Sequence, residues 1–173
     1  MKKIGLLSDT HGDIPKSIYT HFKDVDEIWH AGDIGSLHVV DSLRAFKPTR
    51  FVHGNIDDHE IRRECPEFQS FEIEGVRVLM THIAGKPGKY TQNALPLIEA
   101  HRPTLFICGH SHIALVKMDP HFQMLWMNPG AAGSKGFHAI STMMRFEVNK
   151  GRIEHLELIE LGKRSKLNNS NEI

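Results

Sequence analysis

The chain is poor in cysteine, with only Cys65 and Cys108 among 173 residues. They form no CxxC pair, which excludes a thiolate zinc knuckle and a disulfide framework. A reduced, cytoplasmic chain is the expectation. Long apolar runs are also missing. No stretch approaches the roughly 20 apolar residues that a membrane helix needs. The apolar start Ile4-Gly5-Leu6-Leu7 stops at Ser8-Asp9, too short for the h-region of a signal peptide. No membrane partner is expected. There is no excess of charge of either sign: 21 Lys and Arg balance 21 Asp and Glu. A strongly basic nucleic-acid face is therefore not indicated. Internal repeats and low-complexity segments are absent. The chain does have 13 histidines. Histidine is the commonest metal ligand, so the surplus invites a metal hypothesis that positions must test.

The length suits one domain with a sizeable core. The polar stretch 162–173 reads as a disordered tail, leaving a single domain over residues 1–161. Short apolar runs follow one another, each ending in Gly, Asp, His or Asn. Residues 3–8 lead to Asp9-Thr10-His11-Gly12, and 27–30 to Ala31-Gly32-Asp33. Residues 50–53 lead to Gly54-Asn55, 76–80 to Thr81-His82, and 104–108 to Gly109-His110-Ser111-His112. Their length and β-branched or aromatic content predict buried strands. Helical spacing falls between them. Ile18, Phe22 and Val25 recur over 15–25. Leu37, Val40, Leu43 and Phe46 recur over 36–46, with Gly35 or Ser36 as cap. A third helix is expected over 91–101, weakened by Pro96. The second half reads as mostly antiparallel strands over 114–118, 123–128, 143–148 and 153–161, with a turn at Asn149-Lys150-Gly151. The expected class is α/β, with two stacked sheets and flanking helices.

Five strand ends thus carry metal-competent groups: Asp9 and His11, Asp33, Asn55, His82, and His110 with His112. Loops at the carboxyl ends of strands converge on ligand sites in such sheets. One ion would leave several of these groups unused, whereas two ions sharing a carboxylate employ them all. In extended chain, residues i and i+2 point the same way, so each pair can reach one site. Mixed N and O ligands suit Mn, Fe, Zn or Ni. Taken singly, Asp9 also reads as a helix cap and Asn55 as a left-handed turn residue.

In this order, Asp9-Thr10-His11, Gly32-Asp33, Gly54-Asn55, His82 and Gly109-His110-Ser111-His112 resemble the calcineurin-like metallophosphoesterases, most closely their small YfcE-like phosphodiesterase branch. The resemblance spans residues 3–160. It implies a four-layer α-β-β-α sandwich and two divalent metal ions, with Mn²⁺ first in expectation. Asp9, His11 and His112 would hold one ion and Asn55, His82 and His110 the other, with Asp33 bridging. The catalytic residues implied are Asp33, Asn55 and His110. The implied reaction is hydrolysis of a small-molecule phosphate ester, most readily a diester, by a metal-bridging hydroxide. A monoesterase is the near alternative. One departure stands out: many relatives carry His directly after Gly-Asn, where it can protonate the leaving oxygen, and this chain has Ile56.

Other residues keep two readings. Asp57 is either an acceptor for a ligand His or a turn residue. His30 and His53 either support ligands or are structural. Asn55 and His138 are the candidate substrate contacts. Ser134, Lys135 and His138 sit beside the Asn128-Pro129-Gly130 loop, which borders the active site in this branch; the other reading is a Gly-rich turn. Residues 85–90 lack P-loop spacing and read as a mobile rim. Trp126 and Phe122 are core or interface, and a homo-oligomer stays open. Two functions of other classes compete. A scaffold like the retromer subunit shares the fold, but its metal site is degraded and this one has every ligand type. A DNA nuclease of this kind carries extra DNA-binding domains and a His where Ile56 stands, whereas this chain is short and neutral and is not expected to be one.

Overall fold

The structure, a computed structural model, describes residues 1–136 and 139–163. The element order is β1 (Lys2–Leu7), α1 (Ser17–His21), β2 (Glu27–His30), α2 (Leu37–Phe46), β3 (Thr49–Phe51), α3 (His59–Glu64), β4 (Phe68–Ile73) and β5 (Val76–Thr81). It continues with β6 (Gly85–Lys86), β7 (Lys89–Tyr90), α4 (Ala94–His101), β8 (Leu105–Ile107), β9 (Ala114–Asp119), β10 (Met124–Pro129), β11 (Ile140–Asn149) and β12 (Arg152–Lys163). Two mixed five-stranded sheets form, ordered β12-β11-β1-β2-β3 and β4-β5-β8-β10-β9. The β6-β7 hairpin stands apart.

Alternation sorts the side chains into layers. Ile4, Leu6 and Trp29 of the first sheet, with Ala31 just after β2, meet Val78, Met80, Leu105 and Ile107 of the second in a closed inter-sheet core. On the outer face of the first sheet, Leu7, Ile28 and Phe51 pack with Ile18, Phe22, Val40, Leu43 and Ile61 of the helical segments. Leu79, Phe106 and Trp126 pack with Ala94 and Ile98 of α4 on the far side. The result is the expected α-β-β-α order. Gly5 lets the first layers close, because a Cβ there would lie 2.7 Å from the Phe22 ring.

Several expectations need correcting. The helix over 15–25 is only the five residues of α1, yet Ile18, Phe22 and Val25 are all buried in that layer. Turns carry the same apolar face that a longer helix would. The third helix starts at Ala94 instead of 91. Pro96 falls in its first turn, where a missing N–H costs little. Helix α3 and strand β4 were not expected. The first is six residues long and buries only Ile61, too little for periodicity; its mark is Asp58, whose carboxylate accepts Glu60 N–H and Ile61 N–H at 3.0 Å each. The β11-β12 turn forms as expected, with Lys150 and Gly151 at φ 46° and 80°. β12 runs through Gly162 and Lys163, where a tail was expected; residues 164–173 lie outside the described residues. Trp126, at 2% exposure, belongs to the core, and Phe122 packs against the same cluster. Among the described residues no helix is long and apolar enough to cross a membrane.

Candidate metal centre

Strands β1, β2 and β3 run parallel in one sheet, and β5, β8 and β10 in the other. Their carboxyl ends therefore open on one rim of the sandwich, and the loops that follow carry the polar residues. Backbone bonds knit these loops together. Asp9 N–H donates to Gly32 O (2.9 Å), His11 N–H to Asp33 O (3.0 Å) and Gly109 N–H to His82 O (3.0 Å).

Asp9, His11, Asp33, His110 and His112 all have left-handed backbones, with φ between 50° and 69°. This corrects the extended geometry expected for Asp9/His11 and His110/His112. The pairs share a site through left-handed turns instead of strand alternation. Non-glycine residues adopt this conformation at a cost that surrounding structure must offset, and such strain collects at functional sites.

Two groups result. Asp9, His11 and His112 form one, and Asp33, His82 and His110 the other, with ligand atoms within 4.8 Å of one another in each. Asp33 faces both: Oδ1 lies 3.2 Å from His82 Nε2, and Oδ2 lies 3.9 Å from His11 Nε2. Asp9 Oδ1 lies 3.1 Å from His112 Nε2 and 3.9 Å from both His11 Nε2 and His82 Nε2. Asn55 is exposed on the loop after β3. Gly54 before it must be glycine, since a Cβ would fall 2.1 Å from Asp33 Oδ1.

The residues fit a pair of metal ions. Asp9 Oδ1 and His82 Nε2 are buried, and their nearest polar neighbours are other candidate ligand atoms, His112 Nε2 at 3.1 Å and Asp33 Oδ1 at 3.2 Å, a crowding of buried polar atoms that a cation between them would relieve. Two ligands bonded at about 2.0–2.2 Å to one ion lie roughly 3–3.5 Å apart, close to the shorter spacings here. His82 Nδ1 donates to Ala31 O at 2.7 Å, which leaves the Nε2 lone pair directed inward. Burial lowers the His82 pKa, but Asp33 and Asp9 outweigh it and the net shift is upward. Burial likewise raises that of Asp33, and His82 and the Ile56 N–H bring it below the usual carboxylate value. The upward shift of His82 reports the negative charge of Asp33 and Asp9 around it, and the same charge favours a cation.

Three supporting residues escaped the sequence reading or were left open by it. Asp57 is neither an acceptor for a ligand His nor a plain turn residue. Its carboxylate accepts N–H from Ile34 (3.1 Å), Gly35 (2.8 Å) and Gly54 (2.7 Å), tying the Asp33 loop to the Asn55 loop. His30 is fully buried. Its Nδ1 accepts Gly32 N–H at 3.2 Å, so in the neutral ring Nε2 donates to Thr10 Oγ1 at 2.9 Å, and Thr10 donates on to Ile34 O. Burial lowers its pKa to about 4. Asn128 donates to Gly109 O (2.7 Å) and Ser111 Oγ (3.1 Å), fixing the His110/His112 loop. The signal for it was a polar residue buried at the end of an apolar run.

Ser134 bonds Asp13 and Lys135 bonds the His11 carbonyl, which puts both on the rim beside the first group. His138 lies outside the described residues. His53 is half-buried, its Nδ1 3.3 Å from Gly54 O.

The sequence profile of the calcineurin-like phosphoesterase superfamily domain matches residues 1–151. A probable metallophosphoesterase of Methanothermobacter thermautotrophicus is 34% identical over 133 residues, covering 74% of this chain and 76% of the relative. Among solved structures, a Streptococcus pneumoniae protein described as a predicted phosphoesterase has a TM-score of 0.70 at 20% identity, covering 96% of this chain and 94% of that one. Vps29 of Entamoeba histolytica complexed with Zn²⁺ has a TM-score of 0.69 at 16% identity, covering 92% and 99%. At those identities the two structures bear on the fold alone, which they share.

Proposed function

Because the chain belongs to the calcineurin-like phosphoesterase superfamily, we propose that it is a phosphodiesterase of small molecules that works with two divalent metal ions. The observation that carries this is Asp33, whose two carboxylate oxygens face two separate groups of ligands. Asp9, His11 and His112 would hold one ion and His82, His110 and the Asn55 amide the other, with Asp33 shared between them. Two ions held there lower the pKa of a shared water and polarise the phosphoryl oxygens. Asp33 fixes the spacing between the two groups. The Ala31 carbonyl keeps His82 in the tautomer that presents Nε2. Asn55, exposed in the same groove as His82, would contact a substrate oxygen.

Mn²⁺ is the proposed metal; the donor set also suits Fe, Ni and the zinc found with the amoebal Vps29. Ile56 is exposed and offers no proton, so leaving groups that depart as stable anions are favoured. Preference for diesters rests on the YfcE-like resemblance. The test strips the protein with chelator, restores Mn²⁺, and compares bis-p-nitrophenyl phosphate with p-nitrophenyl phosphate. Metal-dependent release favouring the diester supports the reading, and release favouring the monoester replaces it with a phosphatase. No turnover with about two ions bound overturns it in favour of a scaffold.

A further inference from the structure

Beyond the second ligand group runs a groove of 1040 Å³, in which His82 and Asn55 meet the β6-β7 hairpin and α4. It lies at the upper end of small-molecule sites, which span about 300–1,000 Å³. A phosphoryl group alone occupies little of it. On the α3 wall stands Arg62. Its Nε donates to Asp57 O (2.6 Å), and its Nη2 to Gly54 O (3.2 Å) and Asn55 O (3.3 Å).

These partners are all carbonyls. Arg44, Arg50 and Arg145 each pair with a glutamate, whereas Arg62 makes no ion pair among the described residues. Glu67 is the groove's one carboxylate, and it is not bonded to Arg62. A guanidinium has five N–H donors. Nη1 and its two have no partner among the described residues. The carbonyls hold the planar fork in one orientation, so little freedom remains to be lost on binding. A pre-oriented guanidinium without a counter-ion suits the oxygens of a carboxylate or phosphate. Its place in the same groove as His82 and Asn55 puts that anion on the substrate's organic part.

We propose that Arg62 is a specificity-determining residue that binds a second anionic group of the substrate. The substrate is thus a phosphate ester whose organic part carries a carboxylate or a further phosphate. This rests on the phosphoesterase reading above.

The test is calorimetric titration of the Mn²⁺-loaded full chain with methylphosphonate, with phosphonoacetate and its longer homologues, and with bisphosphonates of matching length. At least one compound with two anionic groups binds roughly tenfold or more tighter than methylphosphonate, the size of a hydrogen bond to a charged group. Which series wins identifies the anion. In Arg62→Gln that ratio falls to about one, and Arg62→Lys restores part of it. If Arg62 only braces the Gly54 and Asn55 carbonyls, its loss weakens every ligand together and leaves the ratio unchanged. Equal binding of all compounds by the wild-type protein, or a preference that survives Arg62→Gln, overturns the assignment. Ester hydrolysis by the same preparation is scored separately. A ratio near one with hydrolysis intact sinks only the role of Arg62, and absent hydrolysis sinks the phosphoesterase reading.

Discussion

Asp33 and His82 carry opposite obligations in the site, one spanning both ligand groups and the other serving only the second. Asp33→Asn keeps the shape but removes the charge that would be shared. His82→Ala removes a donor whose orientation the Ala31 carbonyl has set. Disturbing mere outer partners of a metal typically costs about 10–100-fold in affinity or activity, so each change is expected to cost at least that in metal-dependent turnover. Metal analysis of both variants checks the cause; full activity with two ions bound would refute the dinuclear assignment. Ile56 allows a gain instead. General acids contribute about 10²–10⁴-fold, so Ile56→His should accelerate hydrolysis of glycerol phosphate while leaving p-nitrophenyl esters little changed. Equal effects on both would mean that leaving-group protonation is not limiting. His30 makes a pH prediction. Its folded pKa, lowered by burial to about 4, lies below the ordinary 6.5. As pH falls through 6.5 the unfolded chain takes up the proton first, so stability is full above 6.5 and declines until both states are protonated near 4. About 2 kcal/mol is lost from this group between pH 7 and pH 5. Urea denaturation of the metal-free protein should show a shallower pH dependence for His30→Gln than for wild type. The residues of the two groups were legible because each follows closely on an apolar run. The roles of Asp57, His30 and Arg62 were not: Asp57 and Arg62 bond backbone groups, for Asp57 on a loop 23 residues away, and His30 reaches the Thr10 hydroxyl 20 residues away.

The segment after β3 concentrates this hidden support in one short element. Asp57 ties two loops, Asp58 caps α3, and Arg62 on that helix reaches back to the Gly54 and Asn55 carbonyls. Sequence pattern missed α3 because one buried residue makes no period, and it overextended α1 because turns bury the same face as a helix. It found α2, whose ten residues include three that are buried. The cap and the clamp can be separated by mutation. Asp58→Ala loses two N–H partners on an exposed surface and should cost about 1 kcal/mol without changing metal affinity. Asp57→Asn leaves one oxygen for three donors and turns an amide N–H₂ toward at least one of them. Leaving a buried donor unmet costs about 1–3 kcal/mol, and here the cost falls on the joint between Asp33 and Asn55. Metal titration of the two variants should therefore weaken the second ion's binding in Asp57→Asn only. Equal weakening in both would mean that α3 as a whole, and not the Asp57 clamp, positions the site.

At the scale of the molecule, each ligand group draws on both sheets. Asp9 and His11 follow a strand of the first sheet, and their partner His112 follows β8 of the second. Asp33 follows β2 of the first, and its partners His82 and His110 follow β5 and β8 of the second. The inter-sheet core is apolar and needs no metal to form, so the fold is expected to stand without ions. The rim is different, since there buried Asp9 Oδ1 and His82 Nε2 face one another at 3.9 Å across the seam. Ions bound at that rim would join the sheets and would be lost on unfolding. Such a ligand stabilises by about 2.7 kcal/mol at a hundred times its dissociation constant. For a chain of this length that corresponds to a rise in melting temperature of roughly 5–10 °C per ion. Adding Mn²⁺ to stripped protein should produce this rise in one cooperative transition. Asp9→Asn from the first sheet and His82→Ala from the second should each reduce it, while His38→Ala on the exposed face of α2 should not. If either ligand variant keeps the full shift, its sheet takes no part in holding the ions, and the site is not the seam between sheets that the geometry describes.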